Sequence, residues 1–174
     1  MKDVVLTLLG PDRPGLVEAL AAVVAEHGGN WLESRMAHLA GKFAGILRAE
    51  VPDHRLPGLV HALGGLESQG LKLVVEAAGM PPAQQGARAM DLALVGQDRP
   101  GIVREISQLL AAKGVNVEEL RTDRTSAPMS GELIFTARAR VFAPATVSAA
   151  DLRAALERME SDLMVEIELA ERDS

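Results

Sequence analysis

Gly10-Pro11-Asp12-Arg13-Pro14-Gly15-Leu16-Val17 returns 86 residues later (98 minus 12) as Gly96-Gln97-Asp98-Arg99-Pro100-Gly101-Ile102-Val103. The offset holds without a gap from Leu6 to Arg35. Between Leu9 and Arg35, 11 of 27 positions match their partners at Val95 to Arg121. The identities include the turn itself, the pair Gly28/Gly114 and the pair Asn30/Asn116. The chain is therefore read as two copies of one small domain, residues 1–79 and 91–174. Residues 80–90 are read as the linker, because Pro81-Pro82, Gln84-Gln85 and Gly86 fall between them.

Each copy has roughly 80 residues, a size at which a hydrophobic core alone is marginal. Aromatics make up only 2% (Trp31, Phe43, Phe135 and Phe142) and mean hydropathy is +0.11, so the cores must be built from Leu, Val, Ile and Ala. Net charge is −6, from 18 basic against 24 acidic residues, with no basic run. A protein that displaces counterions from nucleic-acid phosphates needs the opposite balance, so direct DNA binding is disfavoured. Without cysteine there is no disulfide, thiolate metal site or cysteine nucleophile. No signal-peptide pattern and no apolar run of membrane-spanning length are found, which reads as a cytoplasmic protein.

Val4 to Leu9 is an apolar run that ends at a Gly-Pro turn, the pattern of a buried strand. Leu16, Val17, Leu20, Val23 and Val24 then fall on one helical face, as do Ile102, Val103, Ile106, Leu109 and Leu110. Two strands follow in each copy: Asn30 to Leu39 and Phe43 to Val51, then Asn116 to Thr125 and a strand alternating from Leu133 to Val141. A second helix carries Leu56, Leu59, Val60, Leu63 and Leu66, or Leu152, Ala155, Leu156 and Met159. Closing strands run over Leu71 to Ala77 and Leu163 to Leu169. The order is βαββαβ twice: an α+β, ferredoxin-like arrangement with helices on one face of an antiparallel four-stranded sheet. Its bare face and edges predict a homodimer.

The repeated turn joins a strand to a helix. Proline is tolerated in a first helical turn, and either Asp12 or Arg13 is positioned to be the N-cap. Gly15 and Gly101 leave room for a ligand or another backbone, and free helical N–H groups suit a carboxylate. Gly15→Val or Gly101→Val is expected to block that approach and leave the fold mostly intact. The same residues also describe a plain helix start. Asn30 and Asn116 follow the helix and fit either a left-handed turn position or a polar wall facing a neighbour's turn.

The remaining polar residues form no reactive set. His27, His38, His54 and His61 show no metal-ligand spacing, and His27 at a helix end is matched by Lys113. Glu33/Glu119 and Arg35/Arg121 read as cross-strand or interface salt links. Ser107, Ser126 and Ser130 have no identifiable histidine partner. No catalytic residues, metal or cofactor are expected.

The Gly-x-Asp-Arg-Pro-Gly-(Leu/Ile)-Val turn, the amphipathic helix, the Gly-x-Asn step and the βαββαβ order together resemble the ACT domain. A tandem pair that fills the chain is similar to the glycine cleavage system transcriptional repressor family. Asn30 to Ala37 with Gly41 to Ala44 resembles that family's first repeat, and Ser126 to Glu132 its second. The resemblance implies transcriptional control through a LysR-type activator rather than through DNA, with glycine or another small amino acid as a sensed ligand. An amino-acid sensor that regulates a metabolic enzyme in trans is the alternative. ACT-bearing formyltetrahydrofolate deformylases carry a separate catalytic region that this chain lacks. The resemblance places ligand binding at Asp12, Arg13, Pro14, Gly15, Leu16 and Asn30, and at Asp98, Arg99, Pro100, Gly101, Ile102 and Asn116.

Overall fold

The computed structural model describes residues 1–79 and 86–172. The chain divides into two compact units, Met1–Pro81 and Pro82–Ser174. The first contains β1 (Lys2–Pro11), α1 (Leu16–Glu26), β2 (Asn30–Leu39), β3 (Lys42–Val51), α2 (Leu56–Gly65) and β4 (Lys72–Ala77). The second contains β5 (Arg88–Gln97), α3 (Ile102–Ala112), β6 (Asn116–Ser126), β7 (Leu133–Ala143), α4 (Ala149–Leu163) and β8 (Val165–Glu171). Both sheets are fully antiparallel, in the orders β2-β3-β1-β4 and β6-β7-β5-β8. This is the ferredoxin-like βαββαβ order in each repeat.

Alternation in β1 sends Val4, Leu6 and Leu8 under the helices, where Leu16, Leu20, Val24, Leu59 and Leu63 meet them. Met90, Leu92 and Leu94 repeat this beneath Ile102, Ile106, Leu110, Leu152 and Leu156. Among the described residues no polar or charged side chain is buried. Each core is thus held by aliphatic burial, at about 1.5–3 kcal/mol per large side chain. The helical stripes are narrower than the apolar spacing predicts. Val17 and Val103 lie one residue beyond the buried line and remain 46% and 43% exposed.

Element ends differ from the sequence reading in several places, three of which involve core residues. Arg88 to Met90, expected at the end of the linker, already belong to β5, because Met90 is a core residue. Pro81-Pro82 and Gln84-Gln85 lie outside the described residues. Leu163 closes α4 instead of opening β8, and its side chain is fully buried. Leu71 precedes β4 and seals the core after a short 3-10 turn at Leu66–Gln69. In α4, Ser148 caps the helix by accepting a 3.0 Å hydrogen bond from the Asp151 N–H.

The repeats also match in two irregular positions. The last strand of each repeat is entered through a left-handed residue: Gly70 (φ 85°) in the first, Met164 (φ 52°) in the second. The edge strands β2 and β6 carry a bulge at equivalent places, between Trp31 and Glu33 and between Val117 and Glu119. On the sheet faces away from the helices the charged pairs run largely along and across strands. Arg35 lies 3.4 Å from Glu33, and Arg121 lies 2.8 Å from Glu119, each two residues away on its own strand. The cross-strand links are Arg48 with Asp3, and Arg140 with Glu119, Glu118 and Asp91. The Asp3 hydrogen bond and charge raise the Arg48 guanidinium above its ordinary pKa.

A candidate ligand site at the two strand-to-helix turns

In both repeats the helix starts later than the proline implies. Gly15 and Gly101 are the N-caps, with φ of 88° and 99°, and α1 and α3 begin at Leu16 and Ile102. A Pro-Gly pair with positive φ at glycine is the demand of a tight turn, so Pro14 and Pro100 sit in the turn and not in the helix. Asp12 is then three residues upstream of the N-cap and does not cap. No side chain caps either helix. Intrahelical pairing starts with Ala19 N–H donating to Gly15 O and Glu105 N–H donating to Gly101 O. The preceding first-turn N–H groups therefore have no helical acceptor, and they carry the positive end of the helix dipole.

The aspartates instead fasten the turn to the neighbouring hairpin. The Asp12 N–H donates to Gly41 O at 3.0 Å, and the Asp98 N–H donates to Leu133 O at 2.8 Å. Their carboxylates meet side chains at equivalent positions on the edge strand. Asp12 lies 3.6 Å from His38 Nε2, and Asp98 lies 3.4 Å from Arg124 Nη1. His38 and Arg124 are themselves 86 residues apart. The same offset thus relates both ends of each pair, a signal that strand alternation alone does not expose.

The arginines behave differently. Arg13 donates to the Gln69 side-chain oxygen at 3.1 Å, and among the described residues no carboxylate lies within ion-pair distance of it. Arg99 folds onto its own helix and holds Glu105 with two bonds, Nη1 to Oε1 at 3.1 Å and Nη2 to Oε2 at 3.3 Å. The position equivalent to Glu105 in the first repeat is Ala19. The second turn is also more enclosed, its aspartate 23% exposed against 43% for Asp12. A shallow depression lies over the first turn, floored by Leu16, Val17, Ala21 and Phe43 beside Asp12 and Arg13.

Asn30 and Asn116 do not join these turns within their own repeats. They open β2 and β6 opposite Glu50 and Phe142, at the far end of α1 and α3. An 11-residue helix places that end about 16 Å away. Nor do they take the left-handed step, which falls on Gly28 (φ 66°) and Gly114 (φ 68°). His27 ends α1 with its Nδ1–H donating to Val23 O at 2.8 Å, tying the imidazole to the last helical turn. Among the described residues no cluster of His, Asp and Glu has metal-binding geometry, and no helix is long and apolar enough to cross a membrane.

Known proteins share this fold. Residues 2–76 match the ACT domain family. A protein of unknown function from Galdieria sulphuraria superposes with a TM-score of 0.85 at 29% identity, over 99% of both chains. A second solved structure, for which glycine cleavage system transcriptional repression is the suggested role, superposes with a TM-score of 0.73 at 17% identity. That alignment covers 99% of this chain and 98% of the other. No protein of curated function matches the sequence. The first repeat is thus similar to the ACT domain family, and the second carries the same strand order and the same turn.

Proposed function

We propose that this chain is a regulatory protein that represses a glycine cleavage system, acting through contact with a LysR-type activator and sensing an amino acid at its turns. The observation that carries the reading is the duplicated Asp-Arg-Pro-Gly turn. Each copy sets an arginine and a left-handed glycine beside uncapped helical N–H groups, a combination that suits a carboxylate. The acidic balance of charge favours a protein partner over DNA. The full-length likeness to a structure with that suggested role supports the repressor assignment. Asp12, Arg13, Gly15 and Leu16, with Asp98, Arg99, Gly101 and Ile102, are the residues assigned to ligand contact. Pro14 and Pro100 set the turn. The bare sheet faces support a homodimer, and the cytoplasm is the compartment assigned to it.

Calorimetric titration with glycine, serine and other amino acids tests the sensing step. Reconstitution with the activator and its operator tests the partner. Binding of one amino acid, with supershift of an activator–DNA complex and no shift of DNA alone, is the expected result. Specific binding to operator DNA alone at physiological salt would overturn the partner reading. Capture of a metabolic enzyme and no transcription factor would replace it with regulation of that enzyme in trans.

A further inference from the structure

The sheet face away from the helices differs between the repeats, and the register resolves it into rows. Across β2-β3-β1-β4 the middle row reads Arg35, Ile46, Thr7, Val74, and the next reads Ala37, Ala44, Leu9, Lys72. Across β6-β7-β5-β8 the equivalent rows read Arg121, Arg138, Ala93, Glu168 and Asp123, Thr136, Val95, Glu166. A last row holds Glu33, Arg48, Val5, Glu76 in the first repeat and Glu119, Arg140, Asp91, Ala170 in the second. The first face is a raised apolar patch, with Leu9, Ile46 and Val74 exposed by 45%, 50% and 55%. The second is a charged hollow, in which Ala93 lies low between Arg138 and Glu168. Among the described residues Lys72, Asp123, Arg138 and Glu168 have no ion-pair partner.

Two sheets that stack face to face keep their strands aligned to within about 30° and lie about 10 Å apart. Turning one sheet over reverses its strand order, so β2, β3, β1 and β4 meet β8, β5, β7 and β6. First face on second face then matches in shape and charge. Ile46 stands over Ala93, Leu9 over Thr136, and Val95 over Ala44. Arg35 meets Glu168, Arg48 meets Asp91, and Lys72 meets Asp123. The one like-charged pair is Glu76 with Glu119, and Glu119 already has Arg121 and Arg140 beside it. Two first faces make no opposite-charge pair and set Glu33 against Glu76. Two second faces gain Arg121 over Glu168 and Arg140 over Asp91, but they set Asp123 against Glu166 and cover no apolar side chain larger than Val95.

We infer that the chain dimerises by laying the outer sheet face of its first repeat on that of the second repeat of another copy. Area selects a second copy as the occupant. A four-stranded face about six residues long covers roughly 400 Å². One such contact buries roughly 800 Å² in total, the size of a crystal contact, whereas a two-fold dimer makes it twice and reaches the size of a stable interface. The inference rests on the homodimer proposed above and assigns its surface and register.

The test is sedimentation velocity of the full chain over a concentration series. Lys72→Glu alone and Asp123→Lys alone should each weaken the dimer by about tenfold, and both in one chain should restore it. Both positions are exposed, so the variants should fold as the parent does, which circular dichroism checks. The chain has no cysteine, so Ile46→Cys and Ala93→Cys chains can be mixed with a short bis-maleimide. A covalent dimer from the mixture, and none from either chain alone, is expected. A dimer indifferent to both single reversals, or not restored by the pair, stands on another surface and overturns the inference alone. Cross-linking of an Ile46→Cys, Ala93→Cys double variant only within single chains also overturns it, in favour of a chain that closes on itself. A chain that stays monomeric at every concentration overturns the homodimer, and the inference with it.

Discussion

The two turns share one motif and differ in everything that surrounds it. The first is open: Arg13 reaches a neutral glutamine, Asp12 faces a histidine, and a wide depression lies over Leu16, Val17, Ala21 and Phe43. The second is braced: Arg99 is held twice by Glu105, Asp98 faces an arginine, and a crevice opens below. A braced side chain has less freedom left to lose on any contact, whereas an open one keeps its cation available. Duplication preserved the backbone of the turn, and substitution around it changed what each copy presents.

The comparison is sharpened most at the glycines that end β1 and β5. A Cβ on Gly96 would stand 2.5 Å from Met164 O, a backbone atom that cannot swing aside. On Gly10 the nearest atom is the tip of Leu71 at 2.9 Å. Gly96→Ala should destabilise the second repeat by about 2–3 kcal/mol, and Gly10→Ala the first by about 1 kcal/mol. Urea unfolding followed by signals assigned to each repeat measures both, and equal losses would break the comparison at this level. Next come Gly15→Val and Gly101→Val. Because both glycines are left-handed, these variants carry a local backbone cost even where the fold stays mostly intact. Each should cost about 1–2 kcal/mol of local stability, visible as faster amide exchange in the first turn of its helix.

Smaller effects concern the braces. Glu105→Ala should cost under about 1 kcal/mol, as a partly exposed bidentate pair does, and should release Arg99 to resemble Arg13. Salt-dependent unfolding of that variant, compared with the unaltered chain, checks it. His38→Arg should shift stability by about 0.5 kcal/mol or less. Its informative readout is salt: a guanidinium at position 38 would give Asp12 the kind of partner that Asp98 has in Arg124, and the salt sensitivity of the two repeats should converge. A retained difference would assign the contrast to the hairpin loops instead.

Much of the architecture is legible in the sequence for a definite reason. The strand and helix periods appear twice, and agreement between copies separates them from chance. The turn's position is legible too, but its mechanics are not. Pro14 and Asp12 look like a helix start and its cap, and only the left-handed conformation of Gly15 moves the cap three residues on. Asn30 is read from the sequence as a left-handed turn residue or a polar wall facing a neighbour's turn; the left-handed step falls on Gly28, and the helix carries Asn30 to the end of the sheet opposite its own turn. The apolar crevice between α3, β6 and β7 is invisible because its lining includes Val117 and Ala139, two ordinary residues on different strands. They become a pair only once the register across β6 and β7, bulge included, is known.

Met164 holds a left-handed backbone where the first repeat has Gly70. A residue with a Cβ bears a conformational penalty there, and Met164 is exposed and gives little packing in return. The duplicated chain therefore carries its own engineering template. Wherever the copies solve the same geometric problem differently, one supplies a replacement already proven in the same surroundings. Borrowing from one copy to reinforce the other, beginning with glycine at 164, is a route to a sturdier protein that requires no outside sequences.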